Sequence, residues 1–266
     1  MSTPVRLVAS DLDGTLLDDD QAVSPRTIRA VEALVAAGVH VVAATGRSEW
    51  TAAPLLETVP GIELIVCSNG ASLYDTRART SLASYPIADV VVDAIVADLA
   101  AHLPGCRYGW ETDAALHYEA GFLLLRPFLE RAPTPDLVVG ARPAAIRKLM
   151  VAHDHLDHYE LLEAVLPLLP SGCEGSTSGA PFVEVTGAGV DKAFGLQQVC
   201  RRLGIAAEEV VAFGDNHNDV PMLRWAGRGI AMGNAHDSVR QVVDETTAPN
   251  DEDGVAAVLE TLIDRP

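Results

Sequence analysis

The stretch LVASDLDGTLLDDD, residues 7–20, decides how the rest of the chain is read. An apolar run ends abruptly at Asp11 and Asp13, and five carboxylates fall within ten positions. A short apolar segment closing on polar residues is the pattern of a strand buried on both faces of a parallel sheet. In such sheets ligands collect beyond the carboxyl ends of the strands. Asp11 and Asp13 therefore stand where chemistry is done. Asp18, Asp19 and Asp20 read as solvated loop charge.

Outward from this stretch, strand and helix patterns alternate. Residues 24–38 carry Ser24 as an N-cap, Pro25 in the first turn and Gly38 as a stop. VHVVAATG (39–46) is a second buried strand, residues 48–59 a second helix and IELIVCSNGA (62–71) a third strand. This order predicts an α/β fold with a doubly wound, mainly parallel sheet. After Tyr85 the rhythm changes to helix candidates at 90–103, 122–132 and 156–169, among short strand candidates such as CRYGW, ALHYE and PFVEVTG. The parallel pattern resumes at residue 188. The expected organisation is a core from residues 1–84 and 188–266, with an inserted α+β domain at 85–187.

Composition narrows the function. The 266 residues carry 19 Lys and Arg against 37 Asp and Glu, a net charge of −18. That excludes nucleic acid as the natural partner, because such binding draws its affinity from basic side chains meeting phosphates. Cys67, Cys106, Cys173 and Cys200 are scattered without a CxxC pair, as expected of reduced thiols. No signal peptide or membrane-length apolar run is evident, so a cytoplasmic protein with no membrane partner is expected.

Four predicted strands end in polar groups: SDLDGT, ATGR, SNG and GDNHND. Carboxylates gathered at one sheet edge repel one another, and a cation is needed to keep them ionised together. A hard divalent ion with oxygen ligands, Mg²⁺ for preference, resolves the conflict. Thr45, Gly46 and Lys192 would offer a hydroxyl, a backbone N–H and an ammonium to an anion. Metal, carboxylates and anion donors together point to phosphoryl transfer.

DLDGTLL, ATGR, the lysine of GVDKAFGL and FGDNHNDVPML resemble, in order and spacing, the four motifs of haloacid dehalogenase-like (HAD) phosphatases. AMGNA and NDEDGVA are similar to the tail signatures of the Cof-type subfamily, whose α/β cap is inserted between the second and third motifs. The resemblance implies a HAD-like core acting on small phosphorylated metabolites such as sugar phosphates, with the cap choosing the substrate. It implies Asp11 as the nucleophile that becomes an aspartyl-phosphate, and Asp13 as the acid and base for leaving alcohol and water. Asp11, the backbone carbonyl of Asp13 and Asp215 would hold the metal. Thr45, Gly46 and Asn218 would hold phosphate oxygens, and Lys192 would neutralise Asp11 and phosphate. Asp219 would act behind these, orienting Lys192 or a metal-bound water. Ala193 and Pro221 depart from the family's usual residues without replacing a reacting group.

Other residues admit two readings. Arg47 either contacts substrate or pairs with an acid, and Asn69 either faces substrate or forms a plain Asn-Gly turn. Asn250 and Asp253 read as loop and cap residues. His153, His155 and His158 lie close together but fit no standard zinc spacing. His217 is either at the mouth of the site or a solvated loop residue, and Trp110 and Tyr118 either line a pocket or pack in the inserted domain. A phosphomutase of the same superfamily and a non-catalytic phospholigand-binding protein are the alternatives. A dinucleotide-dependent dehydrogenase is disfavoured because no GxGxxG follows the first strand.

Overall fold

The first strand, β1 (Leu7–Ser10), is buried at every residue. The computed structural model describes residues 4–125 and 137–263. Helix α1 (Pro25–Ala36) follows, with Ser24 Oγ accepting the Thr27 N–H at 3.1 Å and Gly38 ending it at φ +86°. Next come β2 (His40–Ala44) and α2 (Glu49–Ala52). The single helix expected over 48–59 is instead one α-turn followed by a tighter turn through Leu56. Pro54 accounts for the change, since it lacks the N–H that a continuing α-helix would use. β3 (Ile62–Cys67), β4 (Ser72–Asp75) and β5 (Thr80–Ser84) complete this run, β4 turning back antiparallel on β3.

The middle of the chain forms α3 (Asp89–His102), β6 (Cys106–Glu111), β7 (Leu116–Tyr118), α4 (Ala120–Leu125), β8 (Leu137–Val139), β9 (Lys148–His153), α5 (His158–Val165), β10 (Glu174–Ser176) and β11 (Val183–Thr186). The remainder of the helix expected over 122–132 lies outside the described residues. Then follow α6 (Lys192–Leu203), β12 (Val210–Gly214), α7 (Val220–Trp225), β13 (Arg228–Ala231), α8 (Asp237–Arg240), β14 (Glu245–Thr246) and α9 (Gly254–Ile263). None of the described helices is long and apolar enough to cross a membrane.

Two compact units result, Met1–Leu82 with Asp191–Pro266, and Ala83–Val190. The first unit is built on a sheet of order β14-β13-β12-β1-β2-β3-β4-β5, parallel from β14 to β3. β1 lies between β2 and β12, with Ser10 opposite both Ala43 and Phe213. That register sets Asp11, Thr45 and Asp215, the residues just past three adjacent strands, at one sheet edge. The second unit has a sheet of order β10-β11-β9-β6-β7-β8, antiparallel except between β7 and β8.

In the second unit, alternation along β6 and β9 sorts side chains by face. Cys106, Tyr108, Trp110, Leu149 and Val151 join Ile95 and Leu161 in an apolar core. Trp110 is thus a core residue, its ring centroid 6.4 Å from that of Tyr108. Tyr118 is buried as well and stacks on Phe122 at 5.3 Å. Buried Arg147 and Lys148 pair with Glu111 at 2.8 and 3.1 Å, and Lys148 also reaches Glu184 at 2.9 Å. His153 is committed to a turn: its Nδ1 accepts N–H groups of His155 and Leu156 at 3.1 Å, and its Nε2 lies 3.1 Å from Pro104 O. Both ring nitrogens are therefore used, which removes the zinc reading.

Helix α6 meets the sheet through bare backbone. A Cβ on Gly195 would lie 2.3 Å from Val66 Cγ1 and 3.0 Å from Gly70 Cα. Gly70 has φ +95°, and a Cβ there would lie 2.0 Å from Asp191 O. Only glycine fits both the space and the conformation. Gly70→Ala is expected to lower stability by about 2–4 kcal/mol through overpacking and backbone strain. An unchanged urea midpoint would show that α6 can be seated without this contact.

Candidate active site

The turn after β1 carries the first half of the site. Leu16 and Leu17 N–H groups donate to Asp11 O at 3.2 Å and Leu12 O at 2.9 Å, a wide turn closed across five residues. Gly14 makes it possible at φ +73°, where a Cβ would lie 2.7 Å from Asp215 Oδ2. Thr15, one residue on, donates its hydroxyl to Asp215 Oδ1 at 2.8 Å. The tight approach of Gly14 and the hydroxyl of Thr15 together hold Asp215 against the DLDGT turn.

Lys192 opens α6, and Asp191 caps that helix by accepting the Phe194 N–H at 2.7 Å. The Lys192 ammonium is fully buried and bonds Asp11 Oδ1 at 2.7 Å and Asp219 Oδ1 at 2.6 Å. Asp219 is fully buried too, and its Oδ2 accepts the N–H groups of Asp215 and Asn216 at 2.9 Å. Both of its oxygens are thus in use, and it holds Lys192 and the GDNHND loop in place. A Cβ on Gly214 would lie 2.4 Å from Asp219 Cβ, so this loop also folds over glycine.

Arg47 is paired with an acid of the same site. Its Nε donates to Asp13 Oδ2 at 2.7 Å and its Nη2 to Asp13 Oδ1, a bidentate pair. The Arg47 N–H donates to Thr45 Oγ1 at 3.0 Å, and Thr45 is fully buried. Gly46 lies between them in the chain. Asn69 is buried at φ +54° after Ser68 at φ +52°, both in the left-handed region. Its Oδ1 accepts the Asn218 Nδ2 donor at 3.0 Å, so the turn that closes the β3–β4 hairpin also steadies Asn218. The Asn218 carbonyl oxygen is buried and makes no hydrogen bond among the described residues.

The remaining candidates take supporting places. Asn250 donates through Nδ2 to Leu17 O at 2.9 Å, and Asp253 accepts the Ser24 hydroxyl. His217 Nε2 lies 3.0 Å from Ser238 Oγ, its ring 4.7 Å from that of His236. Asp18 is more than solvated charge: its Oδ1 accepts N–H groups of Asp20 and Ala22 at 3.0 and 2.9 Å. Sequence reading missed Thr15 as the partner of Asp215, although it stands inside DLDGT. It also missed Asn234, which donates to Gly14 O at 2.8 Å, and Gln21, which has no motif around it.

Four carboxylates, Asp11, Asp13, Asp215 and Asp219, meet two cations, Lys192 and Arg47. The imbalance shows in their proton affinities. Burial first, and then the charge of Asp219, push the Asp11 carboxyl well above the usual range against the pull of Lys192. Burial and Asp219 push Asp215 up to about 7. Burial alone would lower the Lys192 pKa, but Asp11 and Asp219 outweigh it and hold the ammonium charged. Asp11, Asp215 and Asp219 each offer an oxygen, all within 4.8 Å of one another. Asp11 and Asp215 each keep one oxygen outside the hydrogen bonds described. An all-oxygen, over-acidic set of this kind fits a hard divalent cation.

Comparison with known proteins agrees with this geometry. Residues 8–259 match the haloacid dehalogenase-like hydrolases, and the chain belongs to that family. It is a phosphatase of the HAD superfamily by the class of its relatives and structural neighbours. It is 31% identical to the 5-amino-6-(5-phospho-D-ribitylamino)uracil phosphatase YitU of Bacillus subtilis (strain 168), over 97% of this chain and 98% of that one. It is likewise 31% identical to the pyridoxal phosphate phosphatase YbhA of Escherichia coli (strain K12), over 94% and 96%. Among solved structures, the HAD subclass IIB sugar phosphatase BT4131 superposes with a TM-score of 0.83 at 25% identity, covering 97% of this chain and 98% of that chain.

A raised carboxyl pKa means that the folded protein binds more protons than the unfolded chain, so the stability linked to Asp215 falls as pH rises toward 7. A cation bound to the ionised carboxylates reverses that loss. Added Mg²⁺ is therefore expected to raise the thermal midpoint more at pH 8 than at pH 5.5. An equal rise at both pH values would contradict a carboxylate site.

Proposed function

We propose that this protein is a Mg²⁺-dependent phosphomonoester hydrolase that works through an aspartyl-phosphate on Asp11. The observation carrying the reading is the Asp11 carboxylate, buried with Lys192 on one oxygen and its other oxygen without a hydrogen bond among the described residues. A buried carboxylate paired with a cation at a sheet edge is a nucleophile aimed in place, and the charge of a bound Mg²⁺ would keep it ionised against its burial. Asp11, the Asp13 carbonyl and Asp215 would hold the Mg²⁺, which when bound supplies charge to offset the phosphate and the acidic cluster.

In the first half-reaction an Asp11 oxygen attacks phosphorus and the bond to the alcohol oxygen breaks. The alcohol oxygen leaves with the bonding pair and takes a proton from Asp13. In the second, water attacks phosphorus and gives a proton to Asp13, and the bond to Asp11 breaks to restore the carboxylate and release phosphate. Thr45, Gly46 and Asn218 hold phosphate oxygens, and Lys192 spreads the charge that develops between Asp11 and phosphate. Asp219 keeps the ammonium in place. The substrates are small phosphorylated metabolites, sugar phosphates among them, with the choice assigned to the inserted segment 85–187. We place the protein in the cytoplasm.

The test is a screen of phosphorylated metabolites for Mg²⁺-dependent phosphate release, repeated with Asp11→Asn. Turnover is expected to fall by at least about 10³-fold with the fold retained, as for loss of a covalent nucleophile. Asp11→Asn hydrolysing at an appreciable fraction of the wild-type rate would remove Asp11 from that role. Undiminished activity in excess chelator would remove the metal.

A further inference from the structure

Gln21 sits in the exposed loop after the DLDGT turn with a φ of +60°. The left-handed region is strained for a residue with a Cβ, by roughly 1–2 kcal/mol, and glycine, asparagine or aspartate tolerate it better than glutamine. The loop is held by other groups. Asp18 accepts two N–H groups through Oδ1, its own N–H donates to Ala22 O at 2.9 Å, and the Gln21 N–H donates to Asp18 O at 3.0 Å. None of these bonds uses the Gln21 side chain. The backbone of Gln21 closes the loop, where glycine or asparagine would sit with less strain, and its side chain is left for another contact.

That contact is visible. Gln21 Oε1 accepts from Nη2 of Arg47, the nitrogen that also donates to Asp13 Oδ1. One Nη2 proton is thus aimed at Asp13 and the other at Gln21, while Nε–H reaches Asp13 Oδ2. Two acceptors on either side of one nitrogen fix the plane of the guanidinium. Without Gln21 the guanidinium keeps its charge and its pair with Asp13 but loses the second anchor that stops the two from swinging together.

We propose that Gln21 is a positioning residue: it seats Arg47 so that the Asp13 carboxylate is aimed at the water that cleaves the aspartyl-phosphate. This rests on the phosphatase reading and concerns its second half-reaction. Water attacks phosphorus, Asp13 takes the proton, and the phosphorus–oxygen bond to Asp11 breaks with its electron pair returning to the carboxylate. Asp13 misplaced by rotation of Arg47 slows that step. Formation of the intermediate from an aryl phosphate is spared, because its leaving group departs without a proton.

The probe is 4-nitrophenyl phosphate with Mg²⁺, followed by stopped flow and at steady state, for wild type, Gln21→Met, Gln21→Glu and Gln21→Gly. For Gln21→Met we expect a burst of one nitrophenolate per site. Its kcat and KM should fall together by about tenfold, the lower end of general-base effects, leaving kcat/KM within twofold of wild type. Gln21→Glu keeps an acceptor oxygen and should restore kcat. Gln21→Gly should show the same kinetic defect with a thermal midpoint at or above wild type, since glycine relieves the strain. An unchanged kcat in Gln21→Met, a kcat/KM that falls as far as kcat, or a Gln21→Glu no better than Gln21→Met would overturn the proposal. Those results would leave the phosphatase reading standing. A wild type inactive on every phosphate ester, or an active Asp11→Asn, would overturn both.

Discussion

A fully buried ammonium is the constraint around which the first unit is arranged. Lys192 Nζ lies 2.7 Å from Asp11 and 2.6 Å from Asp219, and neither Lys192 nor Asp219 is exposed. Removing such charges from water costs several kcal/mol per ion and is tolerated only where partners and hydrogen bonds are complete. The surroundings meet that demand. Asp219 takes two backbone N–H groups on its second oxygen, Asp191 caps the helix that begins at Lys192, and Gly70 and Gly195 let that helix approach the sheet. The bare contact that seats α6 and the ion pair that places Asp11 are parts of one arrangement.

The two units use buried charge differently. In the second unit, Arg147 and Lys148 are matched by Glu111 and Glu184, so that ionic group is balanced within itself. At the sheet edge of the first unit the acids outnumber the cations, and the excess appears as carboxyls that hold their protons too tightly. A balanced network stiffens a fold. An unbalanced one is poised for a cation and a reactive carboxylate, the signature of a site rather than a scaffold.

Much of this was legible before any coordinate was known, for a physical reason. Strands buried on both faces must be apolar throughout, so β1, β2, β3 and β12 stand out and their polar endings mark the sheet edge, whereas the half-exposed edge strands β5 and β14 carry no such signal. Ser24 and Gly38 work as cap and stop because capping depends on residues adjacent in the chain. Pro54 interrupts the second helix, whose apolar spacing alone runs on to Val59. Trp110, Tyr118 and His153 could not be placed from the sequence, since a period-two strand tells which residues share a face and not which face is covered.

The sequence by itself determined the α/β class, the parallel core around β1 and the four motifs bearing Asp11, Asp13, Thr45, Lys192 and Asp215, because strand burial, capping and motif spacing are short-range properties. Only the tertiary structure decided that Arg47 grips Asp13, that Asn69 steadies Asn218, that Thr15 holds Asp215 and that Gln21 reaches Arg47. Gln21 and Arg47 are 26 positions apart, and Thr15 and Asp215 are 200 apart. No periodicity links such pairs; the parallel register of β12, β1 and β2 brings their loops to one edge.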